Sequence, residues 1–247
     1  MAYSDICFRD NMIFYNGMKY PFPFTNAQVR MFVQNLDYWY SRYNEYSVLD
    51  KNYENTDIPN QAFSFYLFIV TKRRIPSLSE YVQYYFKEHC TPINDNYFKF
   101  KPKYWTGILE HGQGVAHENL FPITACVGRL ARAYPTFLRE IELFTRIQDA
   151  GCRVQYSFHD DCNGIDLKIL SDTIYSVKEF VATKNSLKKL AEKDVNSRAR
   201  YKEELIYLPL HMSNTYGVPN FEIINNIYIY DQSTGDYLIG LSKGVAK

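Results

Sequence analysis

Three side chains in the second half of the chain have types and spacing suited to chemistry on a phosphate ester: Glu140, Asp166 and Lys178. The segment PTFLREIELFTRIQDAG has Pro135 at a helix start and Gly151 as a stop, which predicts a helix over 136–149. At ~100° per residue, Phe137, Ile141, Phe144 and Ile147 form an apolar arc, and Glu140 falls inside it, about 60° from Phe137. Arg139, Glu142 and Arg146 fall on the opposite side, where water is expected. A carboxylate aimed at a core is costly unless a metal, a hydrogen bond or a cation meets it. The plain alternative is a glutamate at the stripe edge that reaches solvent or pairs with an arginine.

In DDCNGIDLKIL, Asp160, Asp161 and Asn163–Gly164 predict a tight turn, followed by a strand over 165–170. On that strand Asp166 and Lys168 share one face and Ile165, Leu167 and Ile169 the other. Aspartate is disfavoured inside strands, so Asp166 needs a reason; an edge strand with a solvated face is the plain one. The next strand, TIYSVKEFVA, puts Ser176, Lys178 and Phe180 on one face and Tyr175, Val177 and Glu179 on the other. Lys178 follows Asp166 at hairpin distance, so adjacent strands can bring the two together; otherwise it is a surface lysine. Carboxylates hold Mg²⁺ through oxygen, and a lysine orients or deprotonates the attacking water and stabilises developing charge.

Directly after this strand comes a basic segment, KNSLKKLAEKDVNSRARYKEE. From Lys184 to Lys202 seven basic residues, among them Lys184, Lys188, Lys189, Arg198 and Arg200, face only Glu192 and Asp194. In a chain of net charge +1 this is a concentrated patch, suited to salt-sensitive phosphate contacts or else a solvated helix face. Thr183 and Ser186 read as caps of that helix.

The elements that must position these residues are legible from pattern. DICFRD and MIFYNGMKYPFP flank Asn16–Gly17, a hairpin signature. Thr25 caps a helix beginning NAQVRMFV, and a second helical group includes SLSEYVQYYFKEH after Pro76. ITACVGRLARAY predicts a short helix before Pro135. The strands CRVQYSF, GIDLKIL and TIYSVKEFVA follow, then the basic helix, the strand ELIYLPL, and a last hairpin IINNIYIY–DQSTG–DYLIGL. This order predicts an α/β layered fold at 108–247, preceded by a mainly helical region at 1–107 with a small β-hairpin that grips DNA or a partner.

Composition narrows the classes further. The 247 residues can bury a core, and no apolar run reaches the ~20 residues needed to span a bilayer. The start lacks a secretory layout, so a cytoplasmic protein without membrane partners is expected. Five dispersed cysteines without CxxC imply reduced, packed thiols.

A helix with an inward Glu, then a strand, a turn, a strand with GID and a strand with a lysine resembles the core of the PD-(D/E)xK nucleases. That restriction-endonuclease-like superfamily includes restriction enzymes, junction resolvases and transposon end-cleaving nucleases. The match runs over about residues 135–210, with Glu140 in FLREIE, Asp166 in DCNGID and Lys178 in YSVKEF. The resemblance implies a mixed sheet flanked by helices and Mg²⁺ (or Mn²⁺) held by Asp166 with Glu140. It also implies Lys178 on the hydrolytic water and a DNA substrate, in a mobile-element or defence system. The family's acid two residues before the lysine falls on Ser176, a far weaker magnesium ligand. Either Glu140 replaces that oxygen, or Lys168 or Lys184 fills the lysine role in another register, or the site is degenerate. A non-catalytic nucleic-acid-binding or assembly subunit of the same fold is the alternative, and an aromatic-rich interaction protein a second. Other protein subunits, or a second copy in a homodimer, are compatible with each.

Overall fold

The computed structural model describes residues 5–36, 61–89, 117–184, 186, 203–215 and 217–245. The chain forms two compact units, residues 1–34 with 139–247, and residues 35–138. The amino-terminal strands therefore extend the sheet of the carboxy-terminal half instead of grouping with residues 35–107.

In the first unit, β1 (Ile6–Arg9), β2 (Met12–Tyr15) and β3 (Met18–Pro21) are joined by two tight turns. Asp10 and Asn11 have φ of 52° and 58°, and Asn16 and Gly17 have 50° and 74°. Two successive positive φ angles match the twist of paired strands, which is why Asn, Asp and Gly occupy these four positions. Helix α1 (Asn26–Gln34) opens with a reciprocal cap. The Gln28 amide donates to Thr25 Oγ1 at 3.3 Å and the Thr25 amide to Gln28 Oε1 at 2.9 Å.

The second unit contains α2 (Gln61–Lys72), α3 (Leu78–His89) and the start of α4 (His117–Asp149). Its core is aromatic: Phe65, Tyr66, Tyr81, Tyr85 and Tyr134 are buried, and Tyr134 donates to the Pro76 carbonyl at 2.6 Å. Ser77 and Glu80 cap α3 reciprocally. Pro135 does not start a new helix; α4 runs through it without a break. One backbone bond is lost at a proline, but continuing the helix keeps Leu130, Tyr134, Phe137 and Leu138 buried.

From Arg139 on, α4 belongs to the first unit and leads into β4 (Val154–Ser157), α5 (Phe158–Cys162), β5 (Leu167–Leu170) and β6 (Ile174–Val181). After the basic segment come β7 (Glu204–Leu210), β8 (Phe221–Ile224), β9 (Ile227–Tyr230) and α6 (Gln232–Ser242). The seven-stranded sheet has the order β3-β2-β1-β4-β5-β6-β7, antiparallel except for the β6–β7 pair, which is parallel. The fold is thus α/β with a mixed sheet. Val154, Tyr156, Leu167, Ile169 and Val177 bury one face of it, and Phe144 of α4 meets Phe8 and Phe22 with ring centroids 6.1 and 5.3 Å apart. No helix among the described residues is long and apolar enough to cross a membrane. Cys7, Cys152 and Cys162 are free thiols.

Two expectations need correction. The last segment is a hairpin turning at Asn225–Asn226, with φ of 48° and 62°, and DQSTGDYLIGL is helical, not a returning strand. The reason is a cap: Asp231 accepts from the Thr234 amide at 2.9 Å and from its hydroxyl at 2.7 Å, which starts α6.

The second correction concerns the charged face of α4. Arg139, Glu142 and Arg146 are buried, not solvated, because α1, β6 and the β8–β9 hairpin supply partners there. Glu142 accepts from Arg146 Nη2 at 2.8 and 2.9 Å, from Arg30 Nη1 at 3.1 Å and from Asn26 Nδ2 at 3.1 Å. Arg146 also donates to the carbonyls of Tyr230 at 2.9 Å and Asp231 at 2.7 Å, and Arg30 pairs with Glu222. Removing the central carboxylate takes the main anionic partner from buried Arg146, which keeps two carbonyls, while Arg30 keeps Glu222; breaking one such buried pair costs about 3–5 kcal/mol at most. Glu142→Ala is therefore expected to lower the free energy of unfolding, measured by urea denaturation, by up to about that amount, and Glu142→Gln by less.

Candidate functional site

The β5–β6 ladder sets the geometry. Leu167 is paired with Val177 and Lys168 with Ser176, so the antiparallel register continued by one residue sets Asp166 opposite Lys178. Asp166 is fixed from both ends: its amide donates to the Val177 carbonyl at 2.9 Å, and its Oδ2 accepts from the Glu179 amide at 2.5 Å. The expected facial alternation holds on both strands. Leu167, Ile169, Val177 and Glu179 are buried, while Asp166, Lys168 and Lys178 are half-buried on the other side.

The segment before β5 brings a second carboxylate. Ser157 caps α5, a single short helix in place of the expected turn, and its Oγ accepts from the Asp160 amide at 3.4 Å. Asp161 accepts from the buried Tyr156 hydroxyl at 3.3 Å. Gly164 closes the segment at φ +78°, and a Cβ there would lie 2.5 Å from Lys178 Nζ. The left-handed backbone calls for glycine there, and a side chain at this position would displace the Lys178 ammonium.

Electrostatics tie these groups together. Burial pushes the Asp166 carboxyl far above the ordinary carboxylate range, the nearby Glu179 and Asp161 charges push it further, and the Glu179 amide and Lys178 pull it back. Asp161 is raised to about 6, by burial against the opposing Tyr156 hydrogen bond and Lys178 charge. The Tyr156 hydroxyl is raised first by burial, then by Asp161 and by Glu140. Glu140, half-buried on α4, thus acts on the same region as Asp161. The Lys178 charge lowers both Asp161 and Asp166, and every carboxylate oxygen in the set is a hard donor of the kind a divalent ion takes. Among the described residues no three His, Cys, Asp or Glu side chains converge in a metal-ligand arrangement.

Beside Asp166 and Lys178, on the same strand face, lies a second polar set. Lys168 Nζ pairs with Asp160 Oδ1 at 2.9 Å and Glu203 Oε1 at 3.3 Å, and the buried Ser176 hydroxyl donates to Glu203 Oε2. Burial opposes the charge on Lys168, yet the Asp160 and Glu203 partners raise its pKa overall. A carboxylate thus meets residue 176 from the far side of the basic segment, where no spacing rule could have found it. Asp160 and Asp161, read from sequence as turn residues, are the other contributors that sequence reasoning missed; two adjacent acids ahead of Asp166 were the signal.

On the opposite side of β6, Glu179 faces α4 as the alternation predicts. It accepts from Arg139 Nε at 3.4 Å, with side chains 1% and 5% exposed. Lys184 is exposed, and Thr183 and Ser186 cap reciprocally, the Ser186 amide donating to Thr183 Oγ1 at 3.1 Å and the Thr183 amide to Ser186 Oγ at 2.8 Å. Lys188, Lys189, Arg198 and Arg200 lie outside the described residues.

Searches with the chain against protein-family models, curated proteins and solved structures find no match.

The raised Asp161 gives a pH signature. Its carboxyl ordinarily titrates near 3.8 and here near 6, so the folded state holds the proton more tightly than the unfolded state between those values. Its contribution to stability is therefore full below about pH 4 and is lost as pH rises through about 6, a penalty of roughly 1–3 kcal/mol. In EDTA, Asp161→Asn is expected to be more stable than the parent at pH 8 and no more stable at pH 4, measured by urea unfolding at both values.

Proposed function

We propose that the first unit is a restriction-endonuclease-like, metal-dependent nuclease domain that hydrolyses DNA phosphodiester bonds. The observation that carries this reading is the cross-strand placement of Asp166 opposite Lys178, with Asp161 beside them and Glu140 within electrostatic reach of the same tyrosine. The order of elements supports it as well: a helix bearing Glu140, three antiparallel strands, the basic segment and a parallel strand.

Carboxylate oxygens of Asp166, Asp161 and Glu140 are hard donors of the kind Mg²⁺ or Mn²⁺ takes, and burial pushes Asp161 and Asp166 toward the protonated form that a cation would displace. Asp166 with Glu140 would hold the ion, which when bound supplies Lewis acidity and a more acidic water. Lys178 holds an ammonium against the Gly164 backbone, where it orients the attacking water and stabilises negative charge that develops on the phosphoryl oxygens. Lys184, Lys188, Lys189, Arg198 and Arg200 engage the DNA backbone, and their contribution weakens as salt rises. A cytoplasmic setting, other protein subunits and a role in a mobile-element or defence system belong to the same reading.

A second reading has one observation in its favour. Ser176 stands where an acid is expected, and the carboxylate it meets, Glu203, is already paired with Lys168. A non-catalytic DNA-binding or assembly subunit accommodates that arrangement without change.

Incubation with plasmid in Mg²⁺, Mn²⁺ or EDTA separates the two. The nuclease reading expects nicks or breaks with metal and none in EDTA, and at least a hundredfold loss of cutting in Asp166→Ala with DNA affinity within twofold. Salt-dependent binding with no cutting under any condition favours the second reading. Undiminished cutting by Asp166→Ala removes the proposed site.

A further inference from the structure

Two buried charges sit one residue from two of the proposed site residues. Arg139 precedes Glu140 on α4, and Glu179 follows Lys178 on β6. They meet across the interior of the first unit, Nε to Oε2 at 3.4 Å, with side chains 5% and 1% exposed. The Arg139 guanidinium also lies over the Tyr230 ring at 5.8 Å, and the Tyr230 hydroxyl donates to the Leu208 carbonyl of β7 at 3.0 Å. Burial pushes the Glu179 carboxyl up, while Arg139 and the Tyr230 hydroxyl pull it back.

Stability is a poor reason for this pair. A buried ion pair recovers little beyond its own desolvation, and an apolar pair of equal volume is often as stable or more so. What the pair does supply is alignment. Its two ends are adjacent in sequence to Glu140 and Lys178, and the Glu179 amide is the donor that holds Asp166 Oδ2 at 2.5 Å. One residue therefore fixes Asp166 through its backbone while its side chain locks β6 to the turn of α4 that carries Glu140.

We propose that Arg139 and Glu179 are positioning residues that set the separation of Glu140 from Asp166 and Lys178. The inference rests on the nuclease reading for its catalytic consequence, while its geometric content can be read without any cutting. Arg139→Met with Glu179→Met removes both charges and leaves similar volume, so the protein is expected to fold and to melt within a few degrees of the parent. By amide hydrogen exchange, the amide at position 179 should lose at least tenfold protection while those of Ile169 and Val177 keep theirs. In plasmid cleavage the double variant should show kcat at least tenfold lower and a severalfold higher Mg²⁺ requirement, with KM for DNA within twofold. Glu179→Gln, which retains the acceptor for Arg139, should restore kcat to within threefold of the parent.

Unchanged protection at position 179 together with unchanged kcat and Mg²⁺ requirement overturns the proposal, as does a Glu179→Gln variant as impaired as the double. If the double variant does not fold, Arg139→Lys carries the same exchange measurement: its shorter reach should loosen the amide, and full protection refutes the role. If the parent protein never cuts, the nuclease reading fails, and selective loss of protection still supports the positioning role while its absence rejects it.

Discussion

A helix with charges on the side turned into the protein needs partners for them before anything else can be arranged. Over its last turns α4 carries apolar residues on one side and Arg139, Glu142 and Arg146 on the other, and both sides are buried. Every one of those charges is matched: Glu142 by two arginines and an asparagine, Arg146 by Glu142 and two backbone carbonyls, Arg139 by Glu179. The partners come from α1, β6 and the β8–β9 hairpin, segments remote in sequence. Unpaired, any of these charges would cost more than the packing around it returns. The requirement that they pair therefore holds α4, and with it Glu140, at a defined rotation and height within the first unit.

The sheet solves a different problem. In an antiparallel ladder a slip of one residue would turn Asp166 and Lys178 inward and Leu167 and Val177 out, so burial of the apolar set enforces the polar alignment. The same alternation sends Glu179 to the interior, where it can meet Arg139. The polar face of β5 and β6 then carries two lysines and a serine among four carboxylates, those of Asp160, Asp161, Asp166 and Glu203. Burial raises Asp161 and Asp166, and the Glu179 and Asp161 charges raise Asp166 further, a condition that a cation of higher charge would relieve. That is the physical content of the nuclease proposal, and it stands on arrangement.

Much of the local structure was legible. The Thr25 cap, the Asn16–Gly17 turn and the alternation of β5 and β6 follow from rules that act over a few residues. Where local rules competed, longer-range packing decided. Pro135 reads as a helix start, yet burial on both sides of it carried α4 through. DQSTG reads as a turn, yet the Asp231 side chain finds the Thr234 amide and nucleates a helix. The wheel placed Arg139, Glu142 and Arg146 in water because a wheel knows only one helix, and the Arg30, Glu179 and Glu222 side chains that meet them there come from remote segments.

The amino-acid order alone determined which residues alternate on a strand, which ones cap a helix and which acids stand near a lysine along the chain. Periodicity and capping are properties of a short backbone segment and its own side chains, so they are written locally. Only the tertiary structure decided that the amino-terminal hairpins join the sheet of residues 139–247, that Glu203 reaches Ser176, and that Arg139 pairs with Glu179. Each of those depends on segments meeting through long-range burial and charge pairing, and no periodicity in one segment encodes what will be packed against it.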